Sequence, residues 1–262
     1  MESISDSFSP IVADRRRSIG VAIPHVELTV IIPVFNEAMT IVDVLERVAC
    51  ESTPKEVIIV DDGSTDRTSE CIGEWIRDRS SRHSERVTCI HSLKHPVNRG
   101  KGAAIRTALP LAQAEFIVVQ DADLEVSPDE YPALLAPLVS QAADFVVGYR
   151  KHGSTRSRRF AHILGIQLLN LIVRTLYGVT VRDEACCFKV LRTSDLRRMQ
   201  LECNRFEYCP EVISKAARLG LRFAEVPVDY WPRDCTGGKK LRLTDGFQAI
   251  GTLWKFRRWR GA

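Results

Sequence analysis

Apolar and polar positions along this chain fall into blocks, and the period changes from block to block. "LTVIIPV" (28–34) is short, β-branched and almost wholly apolar, as expected of a strand buried on both faces. "AMTIVDVLERVAC" (38–50) follows, with Ile41, Val44, Leu45 and Val48 at helical spacing. The alternation continues through a strand at "EVIIV" (56–60), a helix near 65–78, a strand at "VTCIH" (87–91) and a helix over about 100–112. "EFIVVQ" (115–120), a helix over 129–140 and "DFVVGY" (144–149) extend it. Strands separated by helices predict right-handed βαβ units and a mostly parallel sheet. A further, unusually apolar helix is predicted over about 160–176.

In such sheets ligands bind outside the carboxyl ends of the strands. The segments there are "PVFNE" (33–37), "DDGSTD" (61–66), "NRGKG" (98–102), "DAD" (121–123) and "GYR" (148–150). Five polar strand ends carrying acids, an amide, a lysine and an arginine suggest one shared crevice. Ser64, Thr65 and Asp66 also suit a turn and a helix N-cap, with Gly63 for the turn.

The apolar run 116–119 stops abruptly at Asp121 and Asp123, separated only by Ala122. At a strand end both acids can converge on one hard divalent cation, Mg²⁺ or Mn²⁺, which takes few carboxylates and completes its shell with phosphate oxygens and water. A cap for the next helix is supplied by Ser127 or Asp129, so Asp123 is not needed for it. "NRGKGAA" offers an ammonium, Lys101, at a helix start, where phosphate is favoured. Together these residues describe a diphosphate site, with metal on one side and lysine on the other. The Gly-x-Gly-x-x-Gly signature of dinucleotide enzymes, the Walker spacing and the Gly-x-Ser-x-Gly elbow of α/β-hydrolases are absent.

Composition narrows this picture without redirecting it. The chain has 262 residues, enough for one large domain or two small ones, and its net charge of +4 is too mild to imply nucleic acid. Its eight cysteines form no Cys-x-x-Cys pair and read as free thiols in a reducing compartment. Cys186 and Cys187 would point to opposite sides if extended. Residues 1–26 read as a mobile arm whose apolar stretch is too short for a secretory leader. No run reaches the length of a transmembrane helix; the nearest, "ILGIQLLNLIV" (163–173), ends at Arg174.

In order along the chain, "VIIPVFNE", "VIIVDDGSTDRT", "NRGKGAAIRTAL", "IVVQDADLE", "DEACCFKVLR", "RFEYCPEV", "AEVPVDYWPR" and "GGKK" resemble a family 2 glycosyltransferase of the GT-A fold, within it the polyprenyl-phosphate sugar synthases of the dolichyl-phosphate mannose synthase type. The resemblance covers about residues 28–258. It implies an α/β, Rossmann-like, mostly parallel sheet with helices on both faces and an acceptor-side C-terminal extension. The domain would span 27–235, and a basic amphipathic helix over 236–262 would pack on or beside it. Pro33, Phe35 and Glu37 would line the nucleotide site, and Val60 and Asp62 would contact base and ribose, with Asp61 as neighbour. Asp121, Ala122 and Asp123 match the family's Asp-x-Asp motif, which holds the metal and the sugar-nucleotide diphosphate. Arg150 matches an arginine closing the following strand and would join the nucleotide-sugar site. Arg233 and Lys239 match a late arginine and lysine that bind phosphate, Lys240 being the alternative to Lys239. Phe35 stands where the commoner pattern has tyrosine, and Cys209 where relatives often carry an acid.

The implied reaction is an inverting, metal-dependent transfer of a hexose from a nucleoside-diphosphate sugar, of GDP-mannose or UDP-glucose type, to a polyprenyl or dolichyl phosphate. The alternatives are transfer to a hydroxyl of a polysaccharide or other soluble acceptor, and a non-catalytic nucleotide-sugar binding module. A hydroxyl acceptor would need a base, for which Asp183 and Glu184 are candidates; the other reading is that they organise a polar loop. Arg156, Arg158 and Arg159, in an acid-free segment, could receive an anionic acceptor or stand in a solvated loop. In the C-terminal helix, Phe247, Ile250, Leu253 and Trp254 are expected on one face, with Lys255, Arg257, Arg258 and Arg260 following. The first part is expected to dock on the sheet and the last turns to touch an anionic membrane surface. The expected location is cytoplasmic, peripheral on the cytoplasmic membrane face.

Overall fold

The structure is a computed structural model that describes residues 28–81, 86–151, 160–232 and 243–261. Seven strands form one sheet: β1 (Leu28–Val34), β2 (Lys55–Asp61), β3 (Val87–Lys94), β4 (Phe116–Val119), β5 (Phe145–Arg150), β6 (Lys189–Arg192) and β7 (Phe223–Val228). Their order is β3-β2-β1-β4-β6-β5-β7. β1 runs parallel to β2 and β4, β2 to β3, and β5 to β7; β6 alone is reversed, antiparallel to β4 and β5. Every strand except β6 therefore ends on the same edge of the sheet.

Both faces of the sheet are covered, because β1 and β4 are apolar at every parity. Val30, Ile32, Phe116 and Val118 face a core built with α1 (Ile41–Cys50), α2 (Thr68–Ser81) and α4 (Tyr131–Val139). Ile31, Ile117 and Val119 face a second core with α3 (Lys101–Ala108), α5 (Phe160–Tyr177), α6 (Thr193–Arg198), α7 (Tyr208–Arg218) and α8 (Leu243–Phe256). The helical spacing read from 38–50 is realised, with Ile41, Val44, Leu45 and Val48 all buried in α1.

Several elements differ from expectation. β6 carries a lysine, Lys189, in a buried strand, and its ammonium is satisfied by donating to the carbonyls of Glu184 (2.9 Å) and Cys186 (2.5 Å). β7 contains Glu225 and Pro227, tolerated because it is an edge strand. The predicted face of α8 is corrected: Ala249, Thr252, Leu253 and Phe256 are buried, while Phe247 is 76% and Trp254 57% exposed. Phe247 and Trp254 are seven residues apart and share a stripe, but a step of about 100° per residue puts that stripe opposite the docked one. Lys255 folds back onto Glu202 (2.8 Å).

Candidate functional site

β2 and β3 lie on one side of β1 and β4 on the other, so the chain's winding reverses between β1 and β4. At that point the strands splay apart and leave a crevice at their carboxyl ends. The loops there are tied by side chains bonding backbone. Asn36, at φ 53°, donates its N–H to Ser64 Oγ (2.9 Å), and its Oδ1 accepts from Thr65 N–H (2.9 Å). Glu37 N–H donates to Thr68 Oγ1 (2.9 Å) and Ala38 N–H to Asp66 Oδ2 (3.2 Å). Thr40 donates to the Ala122 carbonyl (2.7 Å) and to the Glu37 carboxylate (3.0 Å). Pro33 and Phe35 are half-buried beside this network and Glu37 is buried within it. Val60 is corrected as a nucleotide contact: it is fully buried in the second core with Ile58, because alternate strand residues share a face.

Asp62 is also turned inward. Its carboxylate accepts from Arg99 N–H (2.9 Å) and Gly100 N–H (2.6 Å) and meets His95 Nδ1 at 2.6 Å. It thereby shapes the loop that delivers Lys101. Gly100, at φ +99°, and Gly102 press against the backbone of Cys203 and Asn204, where any side chain would collide. Asp61 likewise accepts from Ser64 N–H (2.8 Å) and from the Ser69 hydroxyl.

Lys101 Nζ donates to Asp121 Oδ1 at 2.5 Å. Burial works against the lysine's charge, but the Asp121 carboxylate, with contributions from Cys209 and Cys187, outweighs it and raises the lysine's pKa. Asp123 Oδ1 accepts from Glu125 N–H (3.2 Å), shaping the turn in which Leu124 takes a left-handed φ of 60°. A residue missed by sequence reasoning fixes this turn. Gln120 is fully buried; its amide donates to the carbonyls of Asp121 (3.1 Å) and Val126 (3.3 Å), and its Oε1 accepts from Tyr131 (2.8 Å). The available signal was a lone amide ending an apolar strand. Ser127 caps the following 3-10 turn, accepting from Asp129 N–H (3.3 Å).

Arg150 and Asp183 meet at the end of β5. Arg150 donates to both oxygens of Asp183, from Nε at 2.5 Å and from the guanidinium tip at 2.6 Å. Burial opposes the guanidinium's charge, and the hydrogen bonds and charge of Asp183 more than restore it, so the pKa of Arg150 is raised. Arg150 also stacks over Tyr230, 5.1 Å from the ring centroid. Tyr230 donates to Glu125 Oε2 (2.9 Å) and Trp231 N–H to Glu125 O (2.9 Å), so the segment that follows β7 is tied to the turn bearing Asp123. Glu184 is buried with Oε1 unpartnered. Burial pushes its pKa up to about 7, Lys189 and Arg150 pulling down and Asp183 pushing up. Cys186 and Cys187 are not an extended pair: they lie in the irregular segment before β6, Cys186 buried in the first core and Cys187 packed against it. All seven cysteines among the described residues are free.

The structure thus gathers Glu37, Lys101, Asp121, Ala122 and Asp123 around one crevice and joins Arg150 to Asp183 beside it. Arg156, Arg158, Arg159, Arg233, Lys239, Lys240 and the arm 1–26 lie outside the described residues. Among the described residues, no three His, Cys, Asp or Glu side chains are grouped to hold a metal ion. An ion at Asp121 and Asp123 would therefore complete its shell from phosphate and water. The donor set fits such an ion: Asp121 already draws a cation, the Lys101 ammonium, and carboxylate oxygen is the ligand Mg²⁺ and Mn²⁺ prefer.

Comparison with known proteins agrees with this geometry. The chain is 25% identical over 232 residues to dodecaprenyl-phosphate galacturonate synthase of Rhizobium johnstonii, covering 87% of this chain and 65% of that protein. It is 30% identical over 215 residues to undecaprenyl-phosphate 4-deoxy-4-formamido-L-arabinose transferase of Edwardsiella ictaluri, covering 79% and 61%. It is 28% identical over 238 residues to dolichyl-phosphate beta-glucosyltransferase of Trichomonas vaginalis, covering 84% and 69%. Among solved structures, glucosyl-3-phosphoglycerate synthase from Mycobacterium tuberculosis with Mn²⁺, UDP and phosphoglyceric acid superposes with a TM-score of 0.65 at 19% identity, over 88% of this chain and 78% of that one. That likeness establishes the GT-A fold. The profile of glycosyl transferase family 2 matches residues 29–199, and the chain belongs to that family.

Proposed function

We propose that the protein is an inverting glycosyltransferase that moves a hexose from a nucleoside-diphosphate sugar to a polyprenyl phosphate. The observation that carries this reading is the pair Asp121 and Asp123 at the reversal point of the sheet, with Lys101 on Asp121. Asp121 and Asp123 would hold Mg²⁺ or Mn²⁺, which when bound neutralises charge on the leaving diphosphate. Lys101, Arg233 and Lys239, or Lys240 in its place, would supply further positive charge there. Pro33, Phe35 and Glu37 would border the nucleotide, and Asp62 would act by holding the Lys101 loop.

On the acceptor side, a phosphate oxygen would attack the anomeric carbon as the carbon–diphosphate bond breaks on the opposite face, inverting the centre. A phosphate is already ionised near neutral pH and needs no base, so positioning dominates. Asp183 suits that economy: both its oxygens are engaged by Arg150, which makes it a poor proton acceptor and a good holder of the arginine. Arg150, with Arg156, Arg158 and Arg159, would receive the acceptor phosphate.

A lipid acceptor requires approach to a membrane. Among the described residues no helix is long and apolar enough to cross one. Leu168 and Leu171 on α5 and Phe247 and Trp254 on α8 are exposed, and the two helices are joined by Tyr177 donating to the Leu253 carbonyl (2.5 Å). Arg257 lies over the Trp254 ring at 3.9 Å, and Arg258 and Arg260 follow. Apolar residues rimmed by arginine suit peripheral binding to an anionic leaflet, on the cytoplasmic face.

The test is transfer of labelled sugar from a panel of UDP- and GDP-sugars to polyprenyl phosphate, with Mg²⁺ or Mn²⁺. Metal-dependent label in the lipid phase is expected, with Asp123→Ala reducing it by about 1000-fold or more. Donor turnover that leaves the lipid unlabelled would overturn the lipid acceptor and favour a hydroxyl one.

A further inference from the structure

Asn170 is half-buried in α5, among apolar neighbours, and its amide points at the turn that carries Asp183. Nδ2 donates to the Arg182 carbonyl at 2.7 Å, and Oδ1 accepts from Glu184 N–H at 3.1 Å. One side chain thus bonds the residues on both sides of Asp183. We propose that Asn170 is a positioning residue for Arg150, acting through the 182–184 turn. This deepens the transfer reading given above and rests on it for its catalytic consequence.

An arginine has several rotatable bonds and is aimed only as well as the carboxylate it grips is held. Asp183 grips Arg150 through both oxygens and also accepts from Arg150 N–H (3.3 Å). Asp183 belongs to a turn without a strand ladder, so its place depends on what pins its neighbours. Glu225 of β7 pins one side, accepting from Arg182 N–H (2.6 Å). Lys189 holds the other side through the Glu184 carbonyl (2.9 Å), and Asn170 bridges the two sides, from the Arg182 carbonyl to the Glu184 amide. From Arg150 the contacts continue through Tyr230 to Glu125, two residues from Asp123. Asn170 also stands between Leu168 and Leu171, which are 48% and 58% exposed. The helix that offers these leucines outward is therefore the helix that sets the Asp183 turn.

The test compares wild type with Asn170→Ala and Asn170→Asp, the latter keeping an acceptor for Glu184 N–H while losing the donor to Arg182. Steady-state transfer, amide hydrogen exchange over 182–186, and alkylation of the buried Cys186 resolved by mass spectrometry are measured on the full chain. Loss of the clamp is expected to lower kcat by about 10- to 100-fold, with donor KM within about twofold, the scale of two hydrogen bonds. Exchange in the turn and alkylation of Cys186 are expected to rise about tenfold. Asn170→Asp should lie between the two, and it remains the usable variant should alanine prevent folding. Unchanged exchange and alkylation in the variants would overturn the proposal, as would a rise in donor KM with kcat intact. If wild type transfers to no acceptor, the transfer reading fails, while exchange and alkylation still decide whether Asn170 holds the turn.

Discussion

The donor-side loops hold most of their acids differently from the Asp183 turn, although Asp121 itself meets the Lys101 ammonium. On the donor side, Asp61 and Asp62 accept from backbone N–H groups, and Asp66 accepts from Ala38 and Thr68 N–H. On the acceptor side Asp183 meets a side-chain cation, Arg150, through both of its oxygens. Backbone donors hold a carboxylate in one place and fix a loop's shape. A guanidinium or ammonium on a long stem can let go and meet a different anion. The donor-side loops are thereby fixed through their backbone, while Arg150 is held through its grip on Asp183.

Four substitutions test that contrast, in falling order of effect. Arg150→Ala removes the guanidinium from the buried Asp183 carboxylate, and a loss of about 3–5 kcal/mol is expected in urea unfolding. A loss near zero would mean Asp183 finds another partner and the pair does not organise this side. Glu184→Gln comes next, read across pH. The folded pKa of Glu184, about 7, lies above its ordinary 4.5, so its contribution is fully present below 4.5 and is lost as pH rises through 7. Wild type should lose up to roughly 3 kcal/mol over that window relative to the glutamine variant. Parallel pH profiles would show that Glu184 is not the titrating group.

Asp62→Asn should cost about 1–3 kcal/mol, because an amide cannot accept from both Arg99 and Gly100 N–H. The loss should be insensitive to salt; a strongly salt-dependent loss would place Asp62 with the acceptor-side ion pairs. Lys255→Ala removes an exposed bridge to Glu202 and should change stability by less than about 0.5 kcal/mol. A larger change would give the tail of α8 a structural weight that its exposure does not suggest.

The donor half was legible in the sequence because its strands are unbroken apolar runs and its polar residues follow them abruptly. Asp121 and Asp123 stood out for that reason, and so did Lys101. β6 and β7 were hidden because Lys189, Glu225 and Pro227 interrupt them, and only the fold supplies the carbonyls and the free edge that tolerate them. Val60 was misplaced because a motif names a position without the face it occupies. The outer stripe of α8 was misread because Phe247 and Trp254 are bulky and apolar, while the helix docks on smaller residues such as Ala249 and Thr252. Gln120 and Asn170 are single polar residues within apolar stretches, and their partners lie in distant turns.

The reversed strand β6 also bears on how the chain assembles. β4 and β5 do not touch in the sheet; β6 lies between them and is made after both. Until Lys189–Arg192 inserts, β3, β2, β1 and β4 can pair as a four-stranded parallel sheet while β5 has no neighbour. During synthesis a growing chain thus presents two open strand edges, at β4 and β5, which are sites for pairing with other chains. Insertion of this four-residue strand closes both edges at once and brings Arg150 to the same side as Asp121. The crevice is thus completed late, by contacts far apart in the chain, and β7 still has to pair with the other edge of β5.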